Sequence, residues 1–294
     1  MIYGLLGLLG VVTAGFAGVF FKDVYKNRKN LEKETHFYLN MGFGFITDFF
    51  DTLGIGNFAP TTALFRAFKQ VKDRILPGTL NVSHTIPVVL EAFLFLAVIK
   101  VEFVTLITMI AASVVGAVLG AGVVARLPER TIQLVMGAAL LVTGFFMIGG
   151  QMDWIRDLGT GEAIGLTGLK LIIAIVANFI LGALMTAGVG LYAPCMAVVY
   201  LLGMTPKVAF PIMMGSCAFL MPPASAKFVK AGAYNKKAAV GITSGGVFGV
   251  LLAVYVVKAL SLTLLTWLVI AVIFITALTL LRAGIKEKKK LHHI

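Results

Sequence analysis

The chain has 294 residues, of which 59% are apolar and only 13% charged, with a mean hydropathy of +0.98. Soluble domains carry roughly 25% charged residues, so a soluble domain is excluded; a membrane barrel is excluded as well, because its strands would alternate rather than run continuously apolar. The net charge of +12 reads as Lys and Arg concentrated in cytoplasmic loops rather than as a nucleic-acid surface.

Residues 2–21 form a first span. No basic region precedes it and no small-residue cleavage site follows, so it reads as a membrane helix rather than a removed signal peptide. A basic segment with Lys22, Lys26, Arg28, Lys29 and Lys33 comes next. Residues 37–53 are apolar but carry Asp48 and Asp51. They run into the stretch Thr52-Leu-Gly-Ile-Gly-Asn-Phe-Ala-Pro60, which is poor continuous helix. The short segment 60–68 beyond it leads into Arg66, Lys69, Lys72 and Arg74. Neither piece is a comfortable span, which predicts a hairpin dipping into the membrane and surrounded by protein or a cavity.

Spans follow at 76–98, 102–125 and 131–149. Pro77, Gly78 and Pro87 predict a kink in the first, and Gly116, Gly120 and Gly122 predict close helix approach in the second. Residues 150–164 are the most polar central stretch. The plan then repeats: 166–186 lead into Thr186-Ala-Gly-Val-Gly-Leu-Tyr-Ala-Pro194, a short arm covers 194–203, and spans follow at 207–229, 238–258 and 261–282. Thr52, Gly54, Gly56, Ala59 and Pro60 recur as Thr186, Gly188, Gly190, Ala193 and Pro194.

With the amino terminus outside and each hairpin returning to its own face, only Lys100, Arg156, Lys170, Lys207 and Lys258 of the 25 Lys and Arg lie outside. This bias sets the orientation. Three spans per repeat is an odd number, so the second repeat enters from the opposite face. The expected fold is an all-α polytopic membrane protein with two inverted repeats, each a broken-helix re-entrant hairpin plus three transmembrane helices. One extra amino-terminal helix and its basic cytoplasmic loop (1–35) precede the first repeat (36–149). An extracytoplasmic linker (150–164), the second repeat (165–284) and a basic cytoplasmic tail (285–294) complete the chain. The expected setting is the cytoplasmic membrane, with the carboxyl terminus inside and the tail lysines near anionic lipid headgroups.

A duplicated helix break at membrane depth points to a transporter's binding site. Pro60 and Pro194 are placed at or near the first helical positions. Two half-helices then aim their amino-terminal partial charges at the midplane, which suits a small anion; glycines that serve only tight helix packing are the plainer alternative. Gly54, Gly56, Gly188 and Gly190 would let backbone approach that ligand. Thr52, Asn57, Thr61, Thr62, Thr186 and Tyr192 could add donors. Asn81, Ser83 and His84, opposite Gly215, Ser216 and Cys217, would line a wall. Cys195 follows Pro194 and is read either as a ligand contact or as a small apolar residue. Asp48, Asp51 and Glu91 are candidates for carrying protons. The alternatives are that Asp51 caps a helix or pairs with Arg66, and that Glu91 pairs with a lysine. No cofactor or metal is expected: the two cysteines form no Cys-x-x-Cys, and neither His-Glu-x-x-His nor Gly-x-Ser-x-Gly occurs. An intramembrane enzyme and a passive anion channel are the other classes considered.

The duplicated apolar halves with Gly-x-Gly…Pro breaks resemble the sulfite exporter TauE/SafE family of membrane permeases over residues 36–282. The chain departs from that family's glycine-rich first motif at Gly54-Ile55-Gly56-Asn57. The resemblance implies a secondary transporter for a small sulfur-containing anion, such as sulfite, thiosulfate or a sulfonate, driven by an ion gradient.

Overall fold

The computed structural model describes residues 2–96, 100–154, 162–256 and 262–291. The far ends of the spans expected at 76–98 and 238–258, the start of 261–282, Arg156, Lys258 and the last three tail residues lie outside them. The described chain is helical, and its one β-type pairing is an isolated bridge between Ala163 and Met204.

In chain order the helices are α1 (Ile2–Lys26), α2 (Phe37–Thr52), α3 (Phe58–Ala67), α4 (Leu76–Phe95), α5 (Phe103–Val124), α6 (Glu129–Gln151), α7 (Gly168–Thr186), α8 (Tyr192–Leu201), α9 (Pro206–Lys230), α10 (Lys236–Val256) and α11 (Leu262–Leu291). Within α1, α5, α6, α7, α9 and α10 lie stretches long and apolar enough to cross a membrane. This is a multi-pass helical membrane protein.

Several boundaries differ from expectation. The first helix continues through the basic residues to Lys26, because lysines are good helix formers once outside hydrocarbon. α3 starts at Phe58, two residues early, so Pro60 is its third residue rather than its first. α2, at 16 residues, is about 24 Å long and falls short of a hydrocarbon core of about 30 Å. α7 has 19 residues and is long enough to cross. The arms leading into the two breaks are therefore unequal.

Pro87 lies inside α4, which runs unbroken through it. A proline there cannot bond the carbonyl four residues earlier. That carbonyl, on Ser83, instead accepts from the Thr243 hydroxyl at 2.7 Å.

α9 sits at the centre, with 89% of its apolar window buried, against 17% for α1 at the edge. The packing has an order that survives exchange of the halves. α2 packs along α10 and α7 along α5; α4 contacts α10 and α9 contacts α5; α3 touches α11 and α8 touches α6. Exchanging α2 to α6 with α7 to α11 turns each of these pairs into the other. Corresponding helices also pack on each other, α4 on α9 and α6 on α11.

Direction follows from which residues meet. Along α4 and α9, Gly78 lies against Phe228, Thr85 Oγ1 is 2.9 Å from Ser225 Oγ, and Leu96 lies against Gly215, so the pair is antiparallel. Along α6 and α11, Gly284 faces Leu134, Gly137 faces Ala277 and Leu281, and Gly144 faces Phe274; this pair is antiparallel too. The seams α2–α10 and α5–α7 are parallel. Gly241, Gly245 and Gly249 step along the backbone from Phe37 to Phe49, and Gly116 and Gly120 step from Phe179 to Ala183 and Thr186. A side chain at these glycines would collide with the facing backbone, so small residues are what permit the contact. Gly122 is different: it faces the Lys227 ammonium rather than a helix backbone.

Candidate functional site

Each break begins as the same helix-closing motif. Gly54 and Gly188 adopt left-handed backbone, with φ of +87° and +95°, a conformation that glycine reaches without steric cost. Gly54 N–H donates to Asp51 O at 2.8 Å and Ile55 N–H to Phe50 O at 3.2 Å. The second copy matches: Gly188 N–H to Met185 O at 3.0 Å and Val189 N–H to Leu184 O at 3.3 Å. These are the two bonds of a Schellman cap. Gly54 and Gly188 therefore end helices; a Cβ on them would meet the Phe210 ring at 3.4 Å and Met136 Cε at 2.5 Å.

The chain then restarts as a helix. The Asn57 carbonyl accepts from Thr61 N–H and the Leu191 carbonyl from Cys195 N–H, both at 3.0 Å. Because Pro60 and Pro194 occupy the third helical positions, each first turn loses one of its unpaired amides. The amides of Phe58 and Ala59, and of Tyr192 and Ala193, are the ones left to offer a ligand.

Both restarts open on one cavity. Residues 55–59 line it from the first break and residues 190–192 from the second. Asp51, Val88, Thr143, Met147, Met185 and Cys217 complete the wall. Its volume is about 30 Å³, room for about two waters. A Cβ on Gly56 or on Gly190 would meet nothing within 4 Å, so these two glycines are the ones that face open space.

Against the cavity lies a fully packed polar network. Asn57 Nδ2 donates to Asp48 Oδ1 at 2.7 Å and to Asp51 Oδ2 at 2.9 Å. Asn57 therefore clamps two carboxylates instead of capping α3, where it makes no side-chain bond. His84 Nδ1 lies 2.7 Å from Asp48 Oδ1, and its Nε2 lies 3.0 Å from Thr61 Oγ1. Thr52 donates to Glu91 Oε1 at 2.9 Å, and the Tyr192 hydroxyl reaches Glu91 Oε2 at 3.3 Å. Asp48, His84 and Glu91 are all 0% exposed. Thus Asp48, Asp51, His84 and Glu91, from α2 and α4, form one chain of contacts, and Tyr192 ties it to the second break.

The charge partners considered for these acids are replaced. Arg66 pairs with Asp73 rather than Asp51, and Glu91 is held by hydroxyls rather than by a lysine. Other expected contacts lie behind the cavity. Thr62 and Thr186 bond backward to Phe58 O and Ala183 O, and Ser83 to Leu80 O. Ser216 accepts from Asn178 at 2.8 Å. Asn81 donates to Pro77 O at 2.9 Å. Cys195 is buried outside the lining, whereas Cys217 lines it with its thiol 3.6 Å from Met185 Sδ.

Thr143 had no sequence signal, being one hydroxyl in an apolar span. Its side chain is 5% exposed, lines the cavity, and its Oγ1 has no hydrogen-bond partner. Among the described residues, no three His, Cys, Asp or Glu side chains are placed to hold a metal ion. Comparison with protein-family models, with curated proteins and with solved structures gives no match.

Proposed function

We propose that this chain is a proton-coupled secondary carrier for a small anion, with the ligand held in the cavity where the two breaks meet. The observation that carries the reading is the pair Gly56 and Gly190, one from each break, both facing the same open space between two helix starts. The four first-turn amides supply partial positive charge there without a fixed cation, and Thr143 adds a free hydroxyl. Asp51 lines the same cavity, and an ionised carboxylate would repel an anion. Entry of the anion together with a proton removes that repulsion, which is a physical reason for symport.

An inverted arrangement of the halves is supported by the antiparallel packing of α4 on α9 and of α6 on α11. Re-entrant hairpins are supported by the short α2, α3 and α8. Cytoplasmic placement of the loop between α9 and α10 is supported by Lys227, Lys230, Lys236 and Lys237. The resemblance to TauE/SafE permeases suggests a sulfur-containing anion, and the sulfur-bearing wall of Met147, Met185 and Cys217 suits a polarisable one.

The test is uptake into proteoliposomes of sulfite, thiosulfate and small sulfonates under an imposed pH gradient. Saturable uptake, stimulated by internal counter-substrate and by external acid, is expected. Non-saturating flux without counter-substrate stimulation would mean a passive channel. A second reading has its own support: the lining holds Asp51 and neither Lys nor Arg, which favours a small cation. Binding of cations alone in the same preparation would replace the anion with that ligand.

A further inference from the structure

We propose, building on the carrier reading, that the proton-binding site of this chain is His84, held between Asp48 and Thr61 so that its Nε2 gains and loses a hydrogen. The contacts fix every other hydrogen of the pair. His84 Nδ1 and Asp48 Oδ1 are 2.7 Å apart, so one hydrogen lies between them. The same Oδ1 accepts from Asn57 Nδ2 at 2.7 Å, and an amide N–H only donates. Asp48 Oδ2 is buried without a partner, so a hydrogen there would be a donor with no acceptor. Asp48 is therefore the acceptor, and the shared hydrogen belongs to Nδ1.

Across the ring, Nε2 lies 3.0 Å from Thr61 Oγ1, and among the described residues that hydroxyl has no other partner. Thr52 and Thr62 bond back to the carbonyl four residues earlier; Thr61 is turned to the imidazole instead. A hydroxyl both donates and accepts. Thr61 thus serves a neutral ring by donating to Nε2 and a charged ring by accepting from it, and neither state leaves a buried nitrogen unpaired. Imidazole ordinarily exchanges a proton near neutral pH. The titratable groups around the pair are Asp51 on α2, Glu91 on α4, Tyr192 on α8 and Cys217 on α9. From α10, Gly246 lies against Asp48 and carries no charge. Among the described residues no lysine or arginine pairs with Asp48, Asp51 or Glu91. A proton on Nε2 therefore takes the Asp48–His84 pair from a net negative charge to none. Asn57, bonded to Asp48, and Phe58, its ring centroid 6.0 Å from that of His84, both line the cavity. An anion in the cavity gains when the pair beside it loses its negative charge, which is the coupling that symport needs.

The measurement is nitrogen NMR of the full chain, isotope-labelled at histidine, in lipid nanodiscs across a pH series. His84→Gln identifies the His84 signals by their loss, since His36, His292 and His293 remain. The neutral ring should carry its hydrogen on Nδ1 and gain a second at Nε2 on acidification. Asp48→Asn removes the opposite charge and should move that gain to lower pH by about one unit or more. Thr61→Val leaves a charged N–H unpaired and should also lower it, and Thr61→Ser should restore it. A neutral ring with its hydrogen on Nε2, or no second hydrogen gained before the protein unfolds, overturns the assignment. So does an unchanged titration in Asp48→Asn or in Thr61→Val. If Asp48→Asn does not fold, Thr61→Val and its serine rescue carry the test. These readouts need no transport. A His84 titration as described together with absent anion flux leaves the proton site standing and removes the carrier.

Discussion

Asn57 is where the two halves differ most at the level of single residues. Its amide bridges Asp48 and Asp51, and the matching position in the second half is Leu191, with Gly182 and Met185 at the positions of the two acids. Asn57→Leu should therefore cost about 3 kcal/mol or more, since it leaves buried carboxylates without their donor; chemical denaturation in detergent measures this. The glycines facing the cavity separate shape from strain. Gly56 has φ of +90° and Gly190 does not share that conformation, although both have open space for a Cβ. Gly56→Ala should lose about 1 kcal/mol from backbone strain. Gly190→Ala should unfold within a few tenths of a kcal/mol of the wild type while still lowering uptake, because its methyl enters the ligand space. Equal stability losses in the two variants would contradict this assignment.

At the level of elements, α4 stays whole across Pro87 because another helix accepts the consequence. Thr243→Val should leave the Ser83 carbonyl buried and unpaired, at a cost of about 1–3 kcal/mol. In Thr243→Ser, which keeps the hydroxyl, most of that loss should be recovered. The glycine seam between α2 and α10 is less forgiving. Gly245→Leu would drive a side chain into the Met41 backbone, and the expected outcome is failure to purify as a monodisperse protein. The α9–α10 loop adds a pH dependence outside the membrane segments. The Tyr234 hydroxyl donates to Asp23 Oδ2 at 2.6 Å, and burial, then this bond, hold its ionisation well above the usual phenol range. A raised folded value means the folded state keeps its proton longer. That contribution is complete below about pH 10 and is lost as pH rises further. Alkaline difference absorbance should show Tyr234 ionising only on unfolding, and Tyr234→Phe should lower the amplitude of that late step by one tyrosine.

Across the whole molecule, the same helix pairs recur when the halves are exchanged, and the corresponding helices that pack on each other, α4 on α9 and α6 on α11, run antiparallel. A carrier built this way has two related conformations available, one opening to each face. Its topology is open to direct measurement. Single cysteines placed by Trp154→Cys and Ala231→Cys, both exposed positions, in a chain with Cys195 and Cys217 replaced, should label from opposite faces of the membrane. Labelling of both from one face would overturn the inverted arrangement and the carrier reading with it.

The membrane class, the two breaks and the spans flanking them were legible because hydrophobic length, Gly-x-Gly and proline act locally: each dictates backbone behaviour within a few residues. The same local logic placed Asp48, Asp51, Glu91 and His84 at membrane depth. It could not join them, because Glu91 reaches Thr52 across α4 and α2, and Tyr192 reaches Glu91 from the other half. Nor could it separate Gly56 and Gly190, which face the cavity, from Gly54 and Gly188, which close helices. Thr143 was invisible for the same reason, since an isolated hydroxyl in an apolar span means nothing until its partners are known to be missing. Chain-local chemistry thus set the elements and the acids, glycines and prolines they carry. Only packing decided which polar groups were satisfied, which were left facing the cavity, and that the acids of one half meet the break of the other.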